Sequence, residues 1–323
     1  WGIFLGGLLQ FLFQIPFMKQ AGLLVKPKWA WNDEGVKKVR TLMLPALFGV
    51  SVTQINLLLN QVIASFLVTG SITWLYYSDR LIEFPLGIFG IAISTVVLPT
   101  LSKIAKQKEL NETERKIQFQ TTMDWGVRMV LLLGIPAMIG IATLAQPMIM
   151  TLFMRGKFGL SDVIASSHSL WIMCLGLNSY MLISILANGF YANQNTKTPV
   201  KIGLIATACN MCFGLLAIPF GYLGLAMASA LSAAVNAFLL YRHLSKQGIY
   251  HISRKTIFFI LKIVIAALVM GGLVHYFSPH LEAWFEMSTL MQVYWLGWLI
   301  VLAAISYFAM LFILGIRKQD FRS

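Results

Sequence analysis

The sequence predicts an all-α, polytopic membrane helix bundle. Three observations carry that prediction: 58% of the 323 residues are apolar, only 11% are charged, and several long stretches hold no charge at all. An ordinary soluble domain is about 45–50% apolar and about 25% charged. Too little polar surface therefore remains to coat a water-soluble globule, which excludes a soluble enzyme, a disordered chain and a disulfide scaffold. The apolar runs lack the alternation of barrel strands, so helices are the only spanning structures left.

A helix crosses the hydrocarbon in about 20 residues. On that length the chain divides into nine spans, taken in order. The first, 1–18, is already hydrophobic at Trp1-Gly2-Ile3-Phe4-Leu5, with no initiator Met and no basic region before it. That is neither a signal peptide nor a natural start, so the chain is expected to open within a helix. Spans two and three, 41–69 and 74–101, come from a run without charge between Thr41 and Ser78, broken at Gly70-Ser71. Spans four and five cover 126–152 and 163–191. A second charge-free run, Ile202 to Tyr241, turns at Pro219-Phe220-Gly221-Tyr222 and yields 199–218 and 222–241. The last two are 257–277 and 290–315. Between them, 19–40 reads either as an interfacial amphipathic segment or as a solvated loop, and 102–124 as a charged cytoplasmic linker.

The net charge of +13 would suggest nucleic acid in a soluble protein. In a bilayer it reflects basic loops kept on the cytoplasmic side. Of the 25 Lys and Arg residues, all but Arg80, Arg155 and Lys157 fall on one set of connections and the tail. That asymmetry places the C-terminus in the cytoplasm and, after nine crossings, the first residue outside.

Charged groups inside a span mark function most often, since each costs about 2.5–3.5 kcal/mol at mid-bilayer. The third span carries three, in Tyr76-Tyr77-Ser78-Asp79-Arg80-Leu81-Ile82-Glu83-Phe84-Pro85. On an α-helical wheel Tyr76, Asp79, Arg80, Glu83, Gly87, Gly90 and Ser94 share about one quadrant. Leu81, Ile82, Pro85 and Ile88 lie on the apolar remainder, where Ile82 and Ile88 are expected to face lipid. Arg80 and Glu83, three apart, can pair. Such a pair either locks two helices together or lines a hydrated cavity, where the planar guanidinium offers two parallel donors to an anionic phosphate. In the second span Thr53, Asn56 and Asn60 share a face, for interhelical hydrogen bonds or for a cavity wall. Lys262 sits a turn inside the eighth span and can snorkel. Pro45, Pro85, Pro136 and Pro147 mark kinks.

Conventional chemistry is not legible. Cys209 and Cys212 spell C-x-x-C within an apolar run, which suits small core residues better than a redox pair. The five histidines have no metal-ligand spacing. Neither a Ser/His/Asp set nor a phosphate-binding G-x-x-x-x-G-K-[ST] loop is present. Work must then be drawn from a gradient, from membrane potential or from the substrate's own gradient, with no metal and no cofactor.

Four separated stretches resemble one family in the right order. They are Leu44-Pro45-Ala46; Tyr77-Ser78-Asp79-Arg80-Leu81-Ile82-Glu83-Phe84-Pro85-Leu86-Gly87-Ile88-Phe89-Gly90; Leu152-Phe153-Met154-Arg155-Gly156-Lys157-Phe158; and Gly189-Phe190-Tyr191-Ala192 with Thr196-Lys197-Thr198-Pro199-Val200-Lys201. The chain is similar to the lipid II flippase (MurJ, MviN) family of the multidrug/oligosaccharidyl-lipid/polysaccharide exporter superfamily, in its proteobacterial form.

The resemblance implies fourteen helices in two six-helix lobes around a central cavity, plus a final pair forming a groove, of which this chain holds the last nine. It implies three parts: 1–40, the end of the N-terminal lobe and a cytoplasmic linker; 41–245, the C-terminal lobe; and 246–323, the groove pair and cytoplasmic tail. It further implies movement of a lipid-linked peptidoglycan precursor to the outer leaflet of the bacterial inner membrane by alternating access. The implied partners are that undecaprenyl-diphosphate glycopeptide and membrane lipids, without nucleic acid, the chain acting as a monomer that needs its preceding helices. Arg80 and Glu83 match required cavity residues of the family, with Asp79, Asn56 and Asn60 beside them, and Lys262 matches a groove-facing basic residue. Some members bind sodium, at positions that align here with Asn60, Asn210, Gly214, Leu225 through its carbonyl, and Ser229. Asn60 and Gly214 replace two carboxylates of that site, which argues against sodium and towards membrane potential or protons. A cation-coupled small-molecule exporter and a non-transporting scaffold of cell-wall synthesis are the rival readings.

Overall fold

The computed structural model describes residues 2–22, 33–37, 54, 57–107 and 111–317, and every described regular element is a helix. The chain divides into two compact units, Trp1–Ser51 and Val52–Ser323, each described by itself. The first contains α1, Gly2–Gln20, whose described side chains are largely exposed and whose Phe13 and Phe17 rings lie 5.3 Å apart. Most of the 19–40 connection and of 41–56, including Pro45, Thr53 and Asn56, lies outside the described residues.

The second unit begins, where described, with a helical stretch over 57–65. Then follow α2 (Ser71–Pro85), a π-helical turn (Leu86–Ile91) and α3 (Ala92–Lys106), one unbroken run of 36 residues. Next come α4 (Glu112–Thr143), α5 (Ala145–Phe153), α6 (Leu160–Ala192), α7 (Lys197–Leu216) and α8 (Gly221–Lys246). The chain closes with α9 (Arg254–Phe277), the short α10 (Leu281–Glu286) and α11 (Thr289–Ile313). Among the described residues seven helices are long and apolar enough to cross a bilayer, and each overlaps one of spans three to nine of the sequence reading.

Two boundaries differ from the sequence expectation. The 102–124 stretch is not a plain linker, because α3 runs on to Lys106 and α4 starts at Glu112. Charge alone does not stop a helix. Asn111 and Glu114 form a capping box, and Lys116 pairs with Glu112 one turn away at 2.8 Å. The expected 126–152 span is also two helices rather than one. Pro147 has no amide to offer the Thr143 carbonyl, and α4 ends at that residue.

Helix α6 is the hub: α8, α4, α2 and α3 all pack along it. Small residues let the backbones close, as at Gly176, where an added Cβ would lie 3.0 Å from the Ala230 Cα of α8. Helix α9 packs on α4, and α11 packs on α9 and reaches α5 and α4. The α8–α9 connection is pinned rather than loose. Tyr250, fully buried, donates its hydroxyl to Asp124 Oδ1 of α4 at 2.8 Å. Burial, reinforced by the Asp124 carboxylate, pushes that phenol well above its ordinary range and keeps it a donor. Arg128, one turn further along α4, lies 3.9 Å from Asp124 Oδ2.

Candidate functional site

The site is built on α2. Its inward side is fastened to α6 by polar contacts that hold the helix in one rotation. Trp74 Nε1 donates to Asp162 Oδ1 at 2.8 Å, and Ser78 Oγ, fully buried, donates to the Ser166 carbonyl at 2.8 Å. The other oxygen of Asp162 accepts from the Gly159 amide at the start of α6, so one carboxylate ties together the ends of two helices. Near these contacts Tyr77 stacks on Phe153 with centroids 4.4 Å apart and meets Phe158 edge-on at 5.1 Å. The sequence reading passed over Trp74, Ser78 and Asp162 as site-setting residues. Their only signal is that Asp162 opens an apolar span three residues after a glycine, the spacing of a capping residue.

With that side fixed, the opposite side presents the charges. Arg80 Nη1 donates to Glu83 Oε2 at 2.6 Å, and their side chains are 54% and 51% exposed. The guanidinium also lies over the Tyr76 ring, 4.9 Å from its centroid, a cation–π contact that fixes the plane of the fork. Asp79 is partly buried and lies within electrostatic reach of Tyr180 on α6. The arrangement is a planar cation, oriented by a carboxylate and a ring, facing outward from an apolar helix.

The expected polar quadrant does not survive intact. Pro85 removes one ladder hydrogen bond, and the π turn that follows inserts about one residue of extra rotation, ~100° of helix. Gly90 is therefore buried against Met181 of α6, and Ser94 accepts from the buried Asn188 Nδ2 at 2.8 Å. Tyr76, Arg80, Glu83 and Gly87 stay exposed. The apolar side is corrected too: Leu81, Ile82 and Pro85 are core residues, Ile82 being only 2% exposed, so Ile82 does not face lipid. Ile88, beyond the proline, is exposed as expected.

The other sequence candidates fall in two further places. Lys262 is partly buried on α9, a helix that packs against α4 and α11, and the fold does not bring it to Arg80. The four positions aligned with a sodium site on α7 and α8 do come together. Asn210 Nδ2 donates to Ser232 Oγ at 3.2 Å and to Ser229 Oγ at 3.5 Å, and Gly214 lies against Leu225 and near Ile63. Asn60 is partly buried one turn before Ile63, and Asn56 lies outside the described residues. As a cation site the donor set is poor. The Ser229 carbonyl already accepts from Tyr180 and Ser232, and Gly214 has no side chain to offer. Asn210 Oδ1, buried without a hydrogen-bond partner, stays free as a neutral ligand. Carboxylates are the strongest hard-cation ligands, and with none among these positions they fit a resident sodium ion poorly. Among the described residues no three His, Cys, Asp or Glu side chains cluster to hold a metal.

Comparison with known proteins bears on the family and the fold. The family model described as lipid II flippase MurJ matches residues 1–295. A probable lipid II flippase MurJ of Haemophilus influenzae is 67% identical over 318 residues, 98% of this chain and 62% of that protein. Its counterpart in Vibrio cholerae is 52% identical over all of this chain and 60% of its own length. The chain thus spans about three-fifths of the curated relatives it matches. A solved lipid II flippase MurJ in an inward closed conformation superposes with a TM-score of 0.72 at 24% identity, over 92% of this chain and 59% of that one, a likeness of fold.

Proposed function

This chain belongs to the lipid II flippase MurJ family, and we propose that the protein it forms part of moves a lipid-linked peptidoglycan precursor from the inner to the outer leaflet of the bacterial inner membrane by alternating access. The observation that carries the reading is the exposed Arg80–Glu83 pair within a helix long and apolar enough to cross the bilayer. A charge at that depth costs about 2.5–3.5 kcal/mol and persists where it meets water or an opposite charge. A diphosphate headgroup supplies both the charge and the geometry, since its oxygens match a guanidinium fork. The work is then transport without covalent change, with no metal or cofactor in the step.

On this reading residues 1–40 end the N-terminal lobe, residues 41–245 form the C-terminal lobe, and α9 and α11 form a groove in which the hydrocarbon tail stays in lipid. Arg80 meets the diphosphate, Glu83 orients the guanidinium, and Asp79 and Asn60 line the hydrated wall. Lys262 attracts the headgroup at the groove. The positive-inside count supports a cytoplasmic C-terminus. Cysteines at Ser161 and Ala283, both exposed, then label with an impermeant maleimide from outside intact cells lacking the native cysteines, whereas Thr113→Cys and Gln247→Cys label only after permeabilisation. Labelling of the second pair in intact cells reverses the orientation.

Coupling follows from the poor donor set at Asn210 and Ser229. Exchanging external sodium for potassium is expected to leave lipid translocation by the full-length protein within about twofold, because the aligned residues offer no carboxylate and the Ser229 carbonyl already accepts from Ser232. Collapsing the membrane potential is expected to slow it instead. A large fall on sodium removal overturns this assignment.

A further inference from the structure

Helix α4 contains Pro136 in its buried middle. Proline has no N–H, so the carbonyl four residues earlier, that of Leu132, loses its helical donor. Leu131, Leu132 and Ile135 are 7%, 5% and 6% exposed, so water does not reach that carbonyl, and an unpaired carbonyl in an apolar interior is costly. A donor arrives from another helix: the Tyr307 hydroxyl of α11 donates to Leu132 O at 2.6 Å, with Tyr307 itself 3% exposed.

We infer that Tyr307 is a positioning residue: its hydroxyl replaces the amide that Pro136 lacks and so fixes α11 against α4. The contact matters because α11 rests mainly on α9 and touches α4 itself over only a short stretch. Its apolar side chains are mostly exposed, and between helices in lipid apolar burial supplies no driving force, so close packing and hydrogen bonds decide docking. Gly271 of α9 closes the arrangement on the same helix, since a Cβ there would lie 2.6 Å from Ile139 Cγ2 of α4. The pair α9–α11 is thereby seated on α4 beside its proline kink. Resting on the flippase reading above, the bond sets the shape of the groove on which Lys262 sits, and the groove pair is carried with α4 when the lobe moves.

The test is a cycle in the full-length protein without native cysteines, with Leu311→Cys, a buried position of α11, as reporter of docking. Tyr307→Phe keeps the ring and removes the donor. Maleimide labelling of the reporter is expected to rise roughly five-fold, the weight of one net hydrogen bond. In a Pro136→Ala background the helix supplies its own amide, and Tyr307→Phe then adds nothing. A tyrosine that merely packs is not rescued by a change on another helix. An unchanged rate in Tyr307→Phe, or a rise that persists undiminished beside Pro136→Ala, overturns the inference. Should the reporter itself loosen α11, thermal midpoints of the same four sequences without it read the same coupling, and equal shifts in both backgrounds overturn it. Failure of the flippase reading shows separately, as absent lipid translocation by the parent protein, and leaves the labelling cycle unaffected.

Discussion

On the proposed reading, replacing Arg80 with alanine is expected to abolish lipid translocation by the full-length protein while its membrane level stays normal. The guanidinium is exposed, so its loss opens no cavity, and the inward side of α2 remains held by Trp74 and Ser78. What would be lost on that reading is a pair of charge-assisted hydrogen bonds to the diphosphate, together about 3 kcal/mol or more, a hundredfold in rate. Arg80→Lys keeps the charge but offers one point donor in place of the fork, and transport falls roughly tenfold. Glu83→Ala frees the guanidinium from its 2.6 Å partner and impairs transport through orientation alone. Ile88→Ala, at an exposed site, is mild. Ile82 is no longer a neutral control, because it is core, and its truncation lowers stability instead. The structural rival makes a different forecast. If the pair only locks helices, Arg80→Glu with Glu83→Arg restores the lock and transport together. Translocation of a fluorescent lipid-linked precursor in proteoliposomes, alongside quantitative membrane blots, separates the two readings, and normal transport by the swap removes Arg80 from the substrate.

Gly224→Ala is expected to be the more damaging of two glycine substitutions that look alike in the sequence. A Cβ at Gly224 would collide with the Ala217 carbonyl oxygen and lie 2.8 Å from the Ala217 Cβ, across the tight turn from α7 into α8. The carbonyl is backbone and the Cβ is fixed to it, so neither can rotate away and the hairpin must open, at about 3 kcal/mol. Gly203→Ala, inside α7, meets nothing within 4 Å. There the alanine relieves the glycine's entropic penalty and stabilises by about 0.5–1 kcal/mol. Thermal unfolding of the full-length protein in detergent is the measurement: a clear fall in midpoint for the first, none or a small rise for the second. Equal falls contradict the close approach of α7 and α8.

Composition and charge determined by themselves that the protein is helical and roughly where spans three to nine lie, though not the ends of the fourth, because lipid tolerates only backbones that satisfy their own hydrogen bonds. The Arg80–Glu83 pair was equally legible, since partners three apart meet on any helix. Tertiary structure decided the rest. Periodicity placed Ile82 on an apolar side without saying whether that side meets lipid or protein, and in a bilayer both surroundings are apolar, so the pattern is the same for either. Only the neighbours resolve it: Ser78 and Trp74 turn that side of α2 towards α6, and the π turn after Pro85 swings Gly90 and Ser94 to join it. The bond from Tyr307 to Leu132 spans 175 positions and was invisible for the same reason. A proline announces an orphaned carbonyl in its own helix, but which distant side chain answers it depends on how the helices pack.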